Sequence, residues 1–336
     1  MERIGILGAG TWGIALARML TNCGHEVAVW SHSPHKLEKL SCTRRHENLP
    51  GMVIPDATAF TASMQEVCAD KDVLLFVVPS VAVRETARAA APFLPAGQLI
   101  VDAAKGIEPD TLLTMTQVIG QELARCGKHS ERIVALSGPT HAEEVARDLP
   151  TTIVSACADR AAAERVQDVF MNSCLRVYTN TDVEGVELCG AVKNIIALAP
   201  GISAGLGYGD NTKAALITRG IAEITRLGTA MGCREQTFSG LAGLGDLIVT
   251  ATSMHSRNNR CGILIGQGVP PAEAVARIGM VVEGVHAIPA ALQLAENYHV
   301  EMPITRAVDA IINRGVSPKD TVAALMSREK NSESGV

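Results

Sequence analysis

Aromatic side chains are scarce in this chain: two tryptophans, three tyrosines and five phenylalanines among 336 residues. Its core must therefore be built from Ala, Val, Leu and Ile, the composition of parallel sheets and the helices that cover them. Long runs of lysine and arginine are also missing, and the formal net charge is −5. That balance excludes a nucleic-acid-binding surface and confines any anion-binding cations to local sites. Nine cysteines occur, but no CxxC pair and no neighbouring histidine cluster. Neither a metal site nor a secreted disulfide framework is expected, and reduced thiols point to the cytoplasm. Met1-Glu2-Arg3 enters an apolar run at once, so no signal peptide is expected. Lys193 or glycine interrupts the apolar runs before membrane length, so no membrane insertion is expected.

What is present begins at the amino terminus. Arg3-Ile4-Gly5-Ile6-Leu7 reads as a short strand feeding Gly8-Ala9-Gly10-Thr11-Trp12-Gly13, a GxGxxG turn that opens an apolar-periodic helix through Leu20. A second strand, Val27 to Trp30, follows. In that context Gly8, Gly10 and Gly13 allow the tight turn, let the backbone approach a pyrophosphate and seat the helix on the sheet, while the helix N-terminus favours the anion.

Strand-like runs recur at Val73 to Val78, Leu99 to Val101, Ile133 to Leu136, Thr152 to Ser155 and Leu175 to Tyr178. Helical stretches such as Val81 to Ala91 and Leu112 to Cys126 separate them, which reads as a Rossmann-type doubly wound sheet. Beyond about Thr181 the apolar spacing is helical only. Candidate helices are Glu184 to Leu198, Thr212 to Met231, Arg260 to Gln267, Pro271 to Ile278, Val285 to Glu296 and Ile304 to Asn313. The expected organisation is α/β: a dinucleotide-binding domain at 1–181, an all-α substrate and catalytic domain at 182–330, and a polar tail at 331–336. Substrate is expected at the carboxyl ends of the strands.

A NAD-preferring fold ends its second strand on an acidic residue that holds the ribose hydroxyls. Here Trp30 is followed by Ser31, His32, Ser33, Pro34, His35 and Lys36, with no carboxylate. These donors suit a 2′-phosphate and favour NADP, although the same residues also read as an ordinary polar loop turning at Ser33-Pro34. Trp12 reads equally as a residue along the cofactor or as a cap on the core.

Four clusters carry candidate chemistry. Lys105 follows the strand Leu99 to Val101 in Ala103-Ala104-Lys105-Gly106, at the edge where ligands bind, unless it is an exposed surface lysine. Ser137-Gly138-Pro139-Thr140-His141-Ala142 offers backbone N–H groups and the Thr140 hydroxyl, or merely a helix cap. Lys193 and Asn194 sit inside a strongly apolar helix from Glu187 to Ala197. A lysine there is costly unless it snorkels to solvent or has a task, and a desolvated ammonium is a proton donor for a carbonyl oxygen. Last, Ser239 to Thr250 is dense in glycine, and on its own reads as a loop. Asp246 within it can orient the lysine, and Arg257 in Ser256-Arg257-Asn258-Asn259-Arg260 can seat a phosphate.

With these motifs in order, the chain resembles the bacterial NAD(P)-dependent glycerol-3-phosphate dehydrogenases along nearly its whole length. The resemblance rests on GAGTWG, NLPG (Asn48 to Gly51), FVVPS (Phe76 to Ser80), AAKGIE, SGPTHAEE, the stretch Gly190 to Gly220, GLAGLGDLIVT, SRNNR, VVEG (Val281 to Gly284) and MPI (Met302 to Ile304). It implies a cytoplasmic homodimer that reduces dihydroxyacetone phosphate to sn-glycerol 3-phosphate for phospholipid synthesis. NADPH is the implied cofactor, with NADH as the alternative. It further implies that Lys193 is the proton donor and acceptor, with Lys105, Asp246 and Thr250 in the catalytic pocket. The implied substrate contacts are Lys105, Gly138, Thr140, Lys193, Asp246, Ser256, Arg257 and Asn258. Cofactor contacts resemble Thr11, Trp12, His32, Lys105, Ala142, Arg257, Val281 and Glu283, beside the three glycines. Two positions depart from the pattern: many members carry tyrosine where this chain has Asn48, and an arginine often lies beside His32. A β-hydroxyacid or ketopantoate reductase would share the glycine turn and the helical second domain but lacks GLAGLGDL with SRNN. An NADP-responsive regulatory module would bind cofactor without turnover, and the intact Lys193 and Asp246 disfavour it.

Overall fold

The computed structural model describes residues 1–128, 132–330 and 332. Among the described residues, eight strands form one sheet in the order β3-β2-β1-β4-β5-β6-β7-β8. They are β1 Arg3–Leu7, β2 Glu26–Trp30, β3 Ala59–Thr61, β4 Val73–Phe76, β5 Leu99–Asp102, β6 Ile133–Ser137, β7 Thr151–Ala156 and β8 Leu175–Asn180. All neighbours run parallel except β6 and β7, which are antiparallel. Side chains alternate between two cores as the pleat requires: Ile4, Ile6, Val73 and Leu75 join one, and Leu7, Leu74 and Phe76 the other. Strands β4 and β5 are buried along their whole length, hence their uninterrupted apolar runs.

The helices interleaved with these strands are α1 Thr11–Asn22, α2 Pro34–Thr43, α3 Met64–Cys68, α4 Val83–Ala90, α5 Met115–Arg125, α6 Ala142–Val145 and α7 Arg160–Phe170. After β8 the described elements are all helical: α8 Val183–Gly205, α9 Asp210–Ala230, α10 Glu235–Phe238, α11 Asp246–Thr252, α12 Arg257–Gly266, α13 Pro271–Ile278, α14 Glu283–Asn297, α15 Pro303–Arg314 and α16 Pro318–Met326. The chain folds as two compact units, one of Met1–Ala191 with Gly232–Asp246, the other of Val192–Met231 with the chain from Leu247 onward. The expected polar tail, 331–336, lies outside the described residues but for Ser332.

Several boundaries differ from the sequence expectation for identifiable reasons. The helix expected to end at Leu198 continues through Pro200 to Gly205. With 23 residues it is long and apolar enough to span a membrane despite Lys193, but 89% of its apolar window is buried in the fold. Helix α12 starts at Arg257 rather than Arg260 because Ser256 caps it, its hydroxyl accepting from Asn259 N–H at 3.2 Å. Helix α5 starts at Met115 because Leu112 takes φ +60° and Thr114 closes a capping box with Gln117. The glycine-dense stretch is no loop: Leu241–Gly245 forms a π-helical turn that runs straight into α11. At Gly243 a Cβ would run into the Phe238 carbonyl, which is why that turn tolerates no side chain there.

Glycines also set the spacing of the two helices that carry the second unit's candidate residues. A Cβ on Gly201 or Gly205 of α8 would strike the α12 carbonyls of Asn259 and Ile263. One on Gly262 or Gly266 of α12 would strike Leu198 and Ile202 of α8. The backbones therefore lie in close contact, and the start of α12 is fixed against the Lys193 segment.

Candidate active site

The glycine turn sits where strand order reverses, with β1 flanked by β2 and β4. Gly8 takes φ +124°, and a Cβ there would meet the Val77 carbonyl oxygen at 2.7 Å. A Cβ on Gly13 would run into the Gly8 carbonyl, so helix α1 lies hard against the turn. At Gly10 nothing lies within 4 Å of the same position. That open cradle adjoins the α1 N-terminus, which has no side-chain cap and no acidic residue in its first turn. Its N–H groups and dipole are therefore available to a pyrophosphate, and the residues fit a bound dinucleotide. Trp12 is half-buried and packs on the core. The Asn48 amide donates to Thr11 Oγ1 at 3.4 Å, bringing the Asn48-Leu49-Pro50-Gly51 loop to the start of α1.

Past β2, Ser33 Oγ caps α2 by accepting from Lys36 N–H, and Ser31 Oγ accepts from Ser33 N–H. The two hydroxyls thus build the turn, as the ordinary-loop reading has it, and His32 stands exposed on it. Ala142 is buried at the start of α6.

Lys105 leaves the end of β5 and gathers several predicted residues. Its Nζ donates to Gly138 O at 3.0 Å, to Thr140 Oγ1 at 3.5 Å and to Asp246 Oδ2 at 2.6 Å. The Asp246 side chain is 2% exposed and that of Lys105 19%, so this ion pair is desolvated rather than a surface contact. Gly190 of α8 lies against it, since a Cβ there would be 3.4 Å from Lys105 Cγ. Nearby Cys189 stays a thiol: burial, then the Asp246 charge, push it well up.

In the second unit Lys193 is 5% exposed, and its Nζ donates to Thr250 Oγ1 at 2.6 Å. Its neighbour Asn194 accepts from Asn258 Nδ2 at 2.9 Å, and Asn258 Oδ1 accepts from Gly284 N–H at 2.9 Å. Arg257 Nη1 donates to Val281 O at 2.9 Å. The opening of α12 therefore holds the Val281 to Gly284 turn, with Glu283 starting α14. Asn258 thus ties α8 to the start of α14 through Asn194 and Gly284, two residues that sequence reasoning left without a role.

Comparison with known proteins decides the family. The profile of the NAD-dependent glycerol-3-phosphate dehydrogenase N-terminus matches residues 3–163, and that of its C-terminus residues 182–323. The chain belongs to the NAD-dependent glycerol-3-phosphate dehydrogenase family. A glycerol-3-phosphate dehydrogenase (NAD(P)+) of Lactobacillus delbrueckii subsp. bulgaricus is 66% identical over 334 residues, covering 99% of each chain. One from Bacillus subtilis is 48% identical, covering 99% of this chain and 96% of its own. The crystal structure of glycerol-3-phosphate dehydrogenase from Coxiella burnetii matches with a TM-score of 0.92 at 36% identity, over 97% of this chain and 99% of that one. A ketopantoate reductase from Ralstonia eutropha reaches a TM-score of 0.61 at 17% identity over 95% of this chain and 99% of its own, a likeness of fold alone.

Among the buried carboxyls that escaped the sequence reading are Asp102 and Glu187. Asp102 closes the apolar strand β5 and is 1% exposed, while Glu187 lies on α8 and accepts from Thr114 Oγ1 at 2.7 Å and Thr116 N–H at 2.9 Å. The available signal was a lone acid inside each of two apolar runs, Leu99 to Asp102 and Val186 to Ala191. A cavity of about 880 Å³ in the second unit, lined from α8, α9, α15 and α16, contains none of the predicted residues.

Proposed function

We propose that this chain reduces dihydroxyacetone phosphate to sn-glycerol 3-phosphate with NADPH, accepting NADH as the alternative, and that Lys193 is its proton donor. The observation that carries the assignment is the placement of Lys193: an ammonium 5% exposed in an apolar helix, 2.6 Å from the Thr250 hydroxyl. The hydroxyl fixes where the ammonium points, which is what a general acid needs. Donation to the carbonyl oxygen neutralises the charge that develops there during reduction. Bound nicotinamide supplies hydride to the ketone carbon. Gly8, Gly10 and Gly13 with Thr11 and Trp12 hold the dinucleotide at the α1 N-terminus, with His32, Ala142, Val281 and Glu283 as further contacts.

The remaining roles follow from charge. Lys105, held by Asp246, orients the substrate with Gly138 and Thr140. Arg257 with Ser256 and Asn258 at the opening of α12 receives the phosphate, because a guanidinium and helix N–H groups both favour an anion. Binding energy gained on the phosphate then positions the reacting carbon, so unphosphorylated dihydroxyacetone is a poor substrate. We further propose a domain border at 181/182, after the last strand, a homodimeric assembly, and action in the cytoplasm in supply of phospholipid synthesis. The test is NADPH consumption on adding dihydroxyacetone phosphate, with NADH and dihydroxyacetone alongside; NADPH that binds and is never consumed refutes the reading.

A further inference from the structure

We propose that Asp102 is the positioning residue for Lys105, and that it works as a carboxylic acid rather than as a carboxylate. The inference rests on the reading above that Lys105 touches substrate.

Three observations carry it. First, Asp102 fixes the backbone that delivers Lys105. Its Oδ1 accepts from Ala104 N–H at 3.2 Å, while Ala103 N–H donates to Phe76 O at 2.9 Å. Both residues between Asp102 and Lys105 are thereby pinned at the end of β5, and the short side chain acts as a local brace of the kind aspartate gives to turns.

Second, the other oxygen has no donor. Oδ2 is buried without a hydrogen-bond partner, and the residues paired with Asp102 on β4 and β6 are Phe76 and Ala135. A buried anionic oxygen without a donor is far costlier than a neutral hydroxyl in the same place.

Third, the charged group that acts on Asp102 has the wrong sign to help it ionise. Glu187 of α8 is also buried, which pushes its own carboxyl up, but Thr114 and Thr116 from the start of α5 supply it with donors that pull it back down. Of two neighbouring acids, the one with donors is better able to hold the charge and the one without holds the proton. Burial first, and then the Glu187 charge, push the Asp102 carboxyl well above the usual carboxylate range.

The experiment compares wild type with Asp102→Asn, Asp102→Leu and Lys105→Ala, measuring kcat, KM for dihydroxyacetone phosphate, NADPH affinity and thermal stability against pH. Asn keeps the acceptor without the charge, so Asp102→Asn retains kcat/KM within about twofold. Because an acid protonated only when folded costs stability as pH rises, the Tm of Asp102→Asn gains on wild type as pH rises above the ordinary carboxylate range. Asp102→Leu loses the brace and raises KM about tenfold with NADPH affinity unchanged, an effect of the size expected for one misplaced charge-assisted contact. If Leu does not fold, Asp102→Ala carries the same expectation. An unchanged KM in the folded apolar variant, or a Tm difference between Asn and wild type that does not move with pH, overturns the proposal. Lys105→Ala separates the two readings: if it is fully active, the role of Lys105 falls, and if it is impaired while Asp102→Leu is normal, only the role of Asp102 falls.

Discussion

Lys193 on α8 and Thr250 on α11 meet at 2.6 Å, Nζ to Oγ1, in a buried contact between residues 57 apart in sequence. Both residues belong to the second compact unit. Thr250→Val keeps the shape and removes the acceptor. The ammonium then loses one of the groups that fix where it points, so kcat should fall in Thr250→Val with NADPH affinity unchanged, as steady-state kinetics and NADPH titration would show.

Asp246→Asn leaves the Lys105 ammonium in a desolvated place without its counter-charge. Breaking one side of such a pair costs on the order of 3 kcal/mol. Steady-state kinetics should show kcat/KM down by about 10²-fold, while NADPH titration still saturates.

Arg257 holds the Val281 carbonyl at 2.9 Å with one of its N–H groups and is assigned the phosphate. Arg257→Ala should raise KM for dihydroxyacetone phosphate by about 10- to 100-fold and leave activity on dihydroxyacetone nearly unchanged, as expected for loss of a charge-assisted anion contact. Equal losses on both substrates would place Arg257 elsewhere.

The glycine turn gives a prediction of opposite signs at two positions. Gly10 faces open space, whereas a Cβ on Gly13 strikes the Gly8 carbonyl. Gly10→Asp should fold with nearly wild-type Tm yet lose NADPH affinity, because it sets an anion where the pyrophosphate sits. Gly13→Ala should lower stability by about 1–3 kcal/mol, read by denaturant unfolding.

Glu223 on α9 links to the start of α15, accepting from Thr305 N–H at 3.2 Å and from Ile304 N–H. Burial, partly offset by those bonds, pushes its carboxyl up to about 7. Folded chains therefore keep this proton while unfolded chains release it, and its contribution to stability falls as pH rises from about 4 to about 7, then levels. Glu223→Gln does not titrate, so its Tm relative to wild type should climb across that interval and stay flat above it, as scanning calorimetry at several pH values would show.

Much of this was legible in the sequence because local chemistry and fold agree there. Gly8, Gly10 and Gly13 between a strand and a helix leave few other structures for that segment, and Lys193 in an apolar helix announces a task. What was not legible depends on contacts distant in sequence. The Lys105 pairing with Asp246 spans 141 residues, and the donors for Glu187 come from more than 70 residues away. Helix boundaries failed where a side chain outside the periodic pattern decided them, as Ser256 does for α12, or where Pro200 sits inside α8 without ending it.

Whether Lys193 gives its proton to the substrate carbonyl is decided by single-turnover NADPH oxidation by wild type and Lys193→Ala at saturating dihydroxyacetone phosphate. NADPH affinity should be equal in the two proteins and the rate about 10²- to 10⁴-fold lower in the variant, the range expected on removing a general acid. A variant within a few-fold of wild type would contradict it.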